Sequence, residues 1–127
     1  MIHIYTDGSC IGNPGKGGWA FCILEEHHAL LYSGREDTTT NNRMEITAVV
    51  ECLEFVKKNT FLTIHSDSKL VINCAKRIWK RHKNLDLWEK FDHISSNIDI
   101  QWIWVKAHCG DYFNELVDKL AREEARK

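Results

Sequence analysis

The chain has 127 residues and a mass of 14.8 kDa, one domain's length, which weighs against a two-domain enzyme. With 43% hydrophobic and 28% charged residues it can bury a core without disulfides or a structural metal. Seventeen Lys plus Arg against eighteen Asp plus Glu give a formal net charge of -1, so no global field marks a polyanion binder and any nucleic-acid contact must be local.

Ile2 to Thr6 alternates apolar and polar residues and predicts a strand that Asp7 ends. The following GSCIGNPGKGG holds five of the seven glycines and the single proline, and reads as a loop. Trp19 to Leu24 and Leu30 to Gly34 read as two more strands, joined as a hairpin through Glu25, Glu26, His27 and His28. From Asn42 the spacing of Ile46, Val49, Val50, Leu53 and Val56 predicts a helix, with Thr40, Asn41 or Asn42 as its N-cap. Leu62 to Ser66 is a short strand before Asp67, and Ser68 to about Lys80 a second helix. Asp86 to Ile94 predicts a third helix, capped by Asp86. Ile98 to Val105 is the last strand, and Phe113, Leu116, Val117, Leu120 and Ala121 mark a closing helix. The order βββαβααβα implies an α/β fold in which helices pack on a mixed sheet. No repeat, low-complexity tract or linker interrupts it.

The five cysteines, Cys10, Cys22, Cys52, Cys74 and Cys109, are odd in number and contain no C-x-x-C pair. That disfavours a disulfide framework and favours a reducing, cytoplasm-like compartment. No segment has the pattern of a signal peptide or the length of a membrane span, so a soluble protein without membrane contact is expected.

IHIYTDGS and LTIHSDSK each place an Asp directly after an alternating strand. A crossover through a helix would make the strand before Asp67 parallel to a neighbour. If that neighbour is the first strand, Asp7 and Asp67 lie side by side at strand ends, where open α/β sheets place their sites. An Asp at a strand end is also an ordinary turn or cap residue. Glu45 shares its helical phase with Ala48, Val49 and Cys52, opposite Thr47, Glu51, Glu54 and Lys58, and so points toward the sheet. The alternative is a first-turn Glu acting on the helix dipole. Asp118 lies near Ala121 and Ala125 at the edge of the closing helix's apolar stripe. Buried carboxylates without counter-charge are costly, and several converging point to bound cations. Carboxylate and water ligands suit Mg2+ or Mn2+, since no Cys and His set has zinc spacing. Two such ions about 3.5 to 4 Å apart can drive in-line phosphoryl displacement, a nuclease's chemistry.

TDGSCIGNPGKGG at Thr6 to Gly18, TTNNRMEI at Thr39 to Ile46, SDS at Ser66 to Ser68 and WVKAHCGDYFNELVDKLA at Trp104 to Ala121 closely resemble type 1 ribonuclease H, in that family's order and over nearly the whole chain. The resemblance implies the ribonuclease H-like fold, a five-stranded mixed sheet of three antiparallel strands then two parallel ones, with helices on both faces. It implies a single catalytic domain over residues 1–127, an endonuclease cutting the RNA strand of RNA/DNA hybrids to 5′-phosphate and 3′-hydroxyl ends with two Mg2+ ions, Mn2+ being able to substitute. Asp7, Glu45, Asp67 and Asp118 match the family's catalytic, metal-holding carboxylates. By that analogy Asp7 bridges both ions, Asp118 serves the water-activating ion, and Glu45 with Asp67 the leaving-group ion. His108 matches a mobile-loop histidine that assists proton transfer or product release. Asn13, Asn41 and Asn42 match residues that read hybrid bases and RNA 2′-hydroxyls in the minor groove, a task suited to amides that donate and accept. One of the Asn pair could instead only cap the helix. Gly8, Ser9 and Cys10 would meet the RNA strand, Cys10 as packing or contact rather than nucleophile, and Thr40 matches part of a DNA phosphate pocket.

Lys76, Arg77, Lys80, Arg81 and Lys83 place five basic residues in eight positions around Trp79. The run reads either as a solvated helix face or as phosphate contacts. Only eighteen residues separate Asp67 from Asp86, so the longer basic protrusion of some members is expected to be absent, as is their N-terminal hybrid-binding domain. Substrate grip would then rest on Lys69, that run and Trp88, in a monomer. GKGGWA leads into a strand and so is no dinucleotide motif, Gly15 and Lys16 lack the Ser or Thr of a P-loop, and His27 with His28 lack ligand partners. Trp102 and Trp104 alternate along a strand and are expected in the core, the alternative being rings on which bases stack. The competing functions are a catalytically silent hybrid-binding module of the same fold, which would not need four carboxylates, and a metal-dependent DNA nuclease, disfavoured by Asn13, Asn41 and Asn42.

Overall fold

The computed structural model describes residues 2–56 and 61–127. The elements are β1 (Ile2–Cys10), β2 (Gly15–Glu25), β3 (His28–Thr39), α1 (Asn41–Phe55), β4 (Phe61–Ser66), α2 (Lys69–Ala75), α3 (Leu85–Ser95), β5 (Asp99–Trp104) and α4 (Tyr112–Ala125). Their order and type are those predicted from the sequence. They form one five-stranded sheet in the order β3-β2-β1-β4-β5. β1, β2 and β3 pair antiparallel, whereas β4 runs parallel to both β1 and β5. No helix among the described residues is long and apolar enough to cross a membrane.

One face of the sheet carries the main core. Ile2 and Ile4 of β1, Phe21 and Ile23 of β2, and Leu62 and Ile64 of β4 pack there against Ile46, Val49, Val50 and Leu53 of α1. The other face is covered by α4, whose Val117 and Ala121 meet Ala20 and Cys22. The five cysteines are all free thiols.

β1 does not stop at Asp7. It continues to Cys10 in register with β2, from Ile2 opposite Glu25 to Cys10 opposite Gly17, so the predicted glycine-rich loop shrinks to Ile11–Pro14. Glycines that signal a turn in sequence serve here as points of close backbone approach. A Cβ on Gly8 would overlap the backbone of Met44 and Glu45 at the start of α1, and one on Gly18 would overlap the Ala121 carbonyl of α4. Thr47, expected on the solvent face of α1, is buried and donates its hydroxyl to the Arg43 carbonyl at 2.7 Å. Glu51 and Glu54 of that face are exposed, and Lys58 lies outside the described residues.

The second helix ends at Ala75, not near Lys80. Arg77 takes a left-handed φ of 59°, and the N–H groups of Ile78 and Trp79 both return to the Asn73 carbonyl. Arg81 completes the stop by donating to the carbonyls of Cys74 and Ala75 in the last turn. The third helix is not capped by Asp86. Its N-cap is Asn84, at φ 57° with no side-chain cap, and Asp86 lies in the first turn, where both carboxylate oxygens accept from Arg43 of α1 at 3.0 and 2.6 Å. That guanidinium holds the Asp86 carboxyl down to about 2.

Candidate active site

Each acidic side chain is placed by a different element. Asp7 lies within β1, where antiparallel pairing with Ala20 fixes the backbone. Asp67 follows β4 directly, and because Tyr5 and His65 are register partners in the parallel pair, Asp7 and Asp67 come abreast. Glu45 stands in the first turns of α1, whose start is fixed by the Thr40 hydroxyl accepting from the Arg43 N–H at 3.2 Å. The missing Cβ of Gly8 lets α1 come close enough for its N–H to donate to Glu45 Oε1 at 2.6 Å and to Asp7 Oδ1 at 2.9 Å.

One ligand atom from each of Asp7, Glu45 and Asp67 falls within 4.8 Å of the others, and this is the one such group of three among the described residues. Asp7 is 4% exposed. Burial first, then the charges of Asp67 and Asp118, push its carboxyl up to about 7, against the lowering pull of hydrogen bonds from Glu45 and Gly8. Burial and the neighbouring Asp7 and Asp67 charges raise Glu45 well above the usual carboxylate range, with the hydrogen bond to Asp7 acting in the same direction. Asp67 is raised by burial and by Asp118, opposed by the His108 charge and a hydrogen bond from the Asn114 side chain. None of these three carboxylates is ion-paired among the described residues. A cluster of desolvated oxygens lacking a counter-charge fits hard divalent cations.

Asp118 is near enough to act on the charges of Asp7 and Asp67 but lies outside the compact group. Its Oδ2 accepts from Arg122 at 2.9 Å, one helical turn on. Arg122 and Asn114 were missed in the sequence, yet both sit four residues from Asp118, so α4 presents all three on adjoining turns. Asn114 is 2% exposed, its backbone N–H bound to the Asp111 cap at 3.0 Å and its Oδ1 without a partner among the described residues. His108 lies in the exposed loop between β5 and α4 with a left-handed φ of 56°, close enough to Asp67 to favour its charged form.

The residues expected to meet substrate divide into two groups. Asn13, Asn41 and Asn42 are exposed, and Asn13 Oδ1 accepts from the Asn41 N–H at 2.8 Å, tying the turn after β1 to α1. Thr40 is the α1 cap, so neither Asn41 nor Asn42 is spent on capping. Gly8, Ser9 and Cys10 are partly exposed, and the Cys10 thiol lies 3.3 Å from the Thr39 carbonyl and 3.5 Å from that of Gly15, a packing position. Lys69 is exposed with Nζ 4.5 Å from the centroid of the Trp104 ring.

The basic run is not a uniform contact surface. Arg81 is almost fully buried: it caps α2, pairs with Asp92 at 2.7 Å, and its guanidinium lies 4.7 Å from the Trp88 ring centroid. Arg77 pairs with the same Asp92 at 2.8 Å. Trp88 is 2% exposed and packs edge-on to Phe91, so it offers no face to a ligand. Lys76, Lys80 and Lys83 are exposed and unpaired among the described residues, beside the exposed Trp79. Of the two tryptophans expected in the core, Trp102 packs against it, whereas Trp104 is 46% exposed and donates to the Asp67 carbonyl at 3.2 Å.

The RNase H family model matches residues 1–126. A ribonuclease H from Wolbachia sp. subsp. Drosophila simulans is 44% identical, covering 96% of this chain and 93% of its own. One from a Thermoanaerobacter strain is 40% identical over 100% of this chain and 91% of its own. Among solved structures, the N-terminal RNase H domain of a Mycobacterium tuberculosis protein superposes with a TM-score of 0.88 at 25% identity, covering 98% of this chain and 93% of that one. LC11-RNase H1 in complex with an RNA/DNA hybrid gives a TM-score of 0.80 at 25% identity, over 97% and 98% of the two chains.

Proposed function

Because the chain belongs to the ribonuclease H family, we propose that its residues 1–127 act as one catalytic domain, an endonuclease hydrolysing the RNA strand of RNA/DNA hybrids to 5′-phosphate and 3′-hydroxyl ends. The observation that carries this reading is the convergence of Asp7, Glu45 and Asp67, desolvated and without ion pairs among the described residues, with Asp118 alongside. The hybrid-bound relative of the same fold supports the choice of substrate.

The four carboxylates would hold two Mg2+ ions, or Mn2+ in their place. Bound there, the ions would supply charge for in-line displacement at phosphorus and lower the pKa of the attacking water. The chain's own groups do the positioning. The Gly8 N–H orients Asp7 and Glu45 together, and Asn114 orients Asp67. Asp118 is available once it parts from Arg122, which is exposed and able to swing away. His108, on the loop facing Asp67, gives or takes a proton at the leaving oxygen or assists product release. Asn13, Asn41 and Asn42 would read bases and 2′-hydroxyls, and Thr40 would contribute to a DNA phosphate pocket. Lys69, Lys76, Lys80 and Lys83 supply phosphate charge, whereas Arg81 and Trp88 hold the structure that presents it. Five free thiols suit a reducing compartment, in keeping with a cytoplasmic, monomeric enzyme.

The test is a cleavage assay with end-labelled RNA/DNA hybrid, duplex DNA and duplex RNA, in Mg2+ or EDTA. Metal-dependent cutting of the hybrid's RNA strand alone is expected, abolished by Asp7→Asn or Asp67→Asn. Equal cutting of duplex DNA, or activity that survives EDTA, overturns the reading. Hybrid retention without cutting in Mg2+ would instead identify a silent binding module.

A further inference from the structure

A second set of metal-ligating side chains lies apart from the carboxylates. His3 on β1 and His65 on β4 sit on neighbouring parallel strands, His3 in register with Thr63 and Tyr5 with His65. Nδ1 of His3 is 3.0 Å from Nε2 of His65. The Tyr5 ring stacks on His65 at 4.2 Å between centroids and 9° between planes, and Phe113 of α4 packs on Tyr5 in turn, so the His65 ring is held in place. Both imidazoles are half-buried, which leaves the pair open to solvent on one side.

The spacing suits an ion as well as a shared proton. Zn–N bonds of about 2.0 to 2.1 Å put two nitrogens of a tetrahedral site about 3.3 Å apart. Adjacent nitrogens on a square-planar Cu2+ come about 2.9 Å apart. The observed 3.0 Å falls between, so an ion would replace the proton shared by the two nitrogens, the His3 ring turning to meet it while Tyr5 holds His65.

We propose that His3 and His65 form a two-imidazole site for a borderline transition-metal ion, Zn2+ or Cu2+, with water completing its coordination. Imidazole nitrogen selects these ions, whereas the oxygen donors of Asp7, Glu45 and Asp67 suit Mg2+. The two sites thus hold different ions at the same time. Structural zinc takes four protein ligands, so a site with two is exchangeable. Its ion would clip β1 to β4, the strands that carry Asp7 and lead into Asp67.

The experiment titrates Cu2+ into the full chain in excess Mg2+, which occupies the carboxylates, and reads the ligands by electron paramagnetic resonance. One equivalent with two-nitrogen splitting is expected, lost only to a large excess of Zn2+, which binds the same ligands more weakly. His3→Gln and His65→Gln should each lose that signal, while a His27→Gln, His28→Gln double variant in the exposed turn keeps it. Should His65→Gln fail to fold by circular dichroism, His3→Gln decides. An oxygen-only spectrum overturns the proposal, as does a two-nitrogen spectrum surviving either single variant. So does a four-nitrogen spectrum kept by His65→Gln, which would mean that His3 binds with neighbouring backbone amides instead. A second readout is the melting temperature, which Zn2+ should raise in the wild type and leave unchanged in both single variants.

Discussion

Asp7 ionises only against its surroundings, because burial and two acidic neighbours oppose the charge and hydrogen bonds alone favour it. Replacing it with Asn removes that conflict and also removes a metal ligand. Asp7→Asn should therefore abolish hybrid cleavage while raising stability in EDTA by about 1–3 kcal/mol, measured by urea unfolding. A variant that lost both would be misfolded rather than inactivated. Arg81 is the opposite case, a basic residue whose work is structural. Arg81→Ala leaves two helix-end carbonyls and Asp92 short of a partner and uncovers Trp88, so it should cost about 2–4 kcal/mol of stability. Lys80→Ala, at an exposed unpaired position, should leave stability within about 0.5 kcal/mol and weaken hybrid binding most at low salt. If Arg81→Ala kept full stability, its reading as a structural residue would fail.

Among the elements, the approach of α1 to β1 decides whether Glu45 reaches Asp7. Gly8→Ala would push the start of α1 off the strand and stretch both hydrogen bonds from the Gly8 N–H. The expected outcome is a loss of activity of about 100-fold or more, with Mg2+ affinity reduced in a calorimetric titration. The same packing shows what a sequence reveals and what it hides. Element type and order are legible because alternation in Ile2 to Thr6 and helical spacing from Ile46 to Val56 each record one buried face. Gly8 and Gly18 mislead, since a glycine needed for close approach carries the same letter as one needed for a turn. The early end of α2 is hidden too: Arg77 turns left-handed there and Arg81, whose positive charge reads as surface, folds back onto the helix end. Asp7 and Asp67 are legible as site candidates because each follows an alternating run, and Glu45 from its helical phase, whereas the roles of Arg122 and Asn114 depend on which way α4 is turned.

At the scale of the whole molecule, the acidic cluster links stability to pH and to metal. In the folded chain without metal Asp7 holds a proton up to about pH 7, against 3.8 for an ordinary Asp, and Glu45 is shifted the same way. Folding therefore takes up protons between those values, and the stability this contributes is lost as pH rises toward 7. His65, lowered by burial, works in the other direction below its ordinary value of 6.5. In EDTA the unfolding free energy should thus rise on going from pH 7.5 to 6.5 in the wild type but much less in Asp7→Asn. Mg2+ should raise the melting temperature more at pH 8 than at pH 5.5, because a bound cation replaces the proton. A pH-independent Mg2+ effect would contradict the shifted carboxylates.

The strand order has a kinetic consequence. β1 meets β2, and β2 meets β3, through short antiparallel connections, but β1 meets β4 only after the chain has crossed over through α1. Contacts between residues far apart in sequence bear the larger loop-closure cost and form later. A nascent chain that has folded only its meander holds Asp7 on a strand paired along one edge, with the other edge still lacking β4. Cleavage competence should then appear with the slowest folding phase, when β4 docks and sets Asp67 beside its partner.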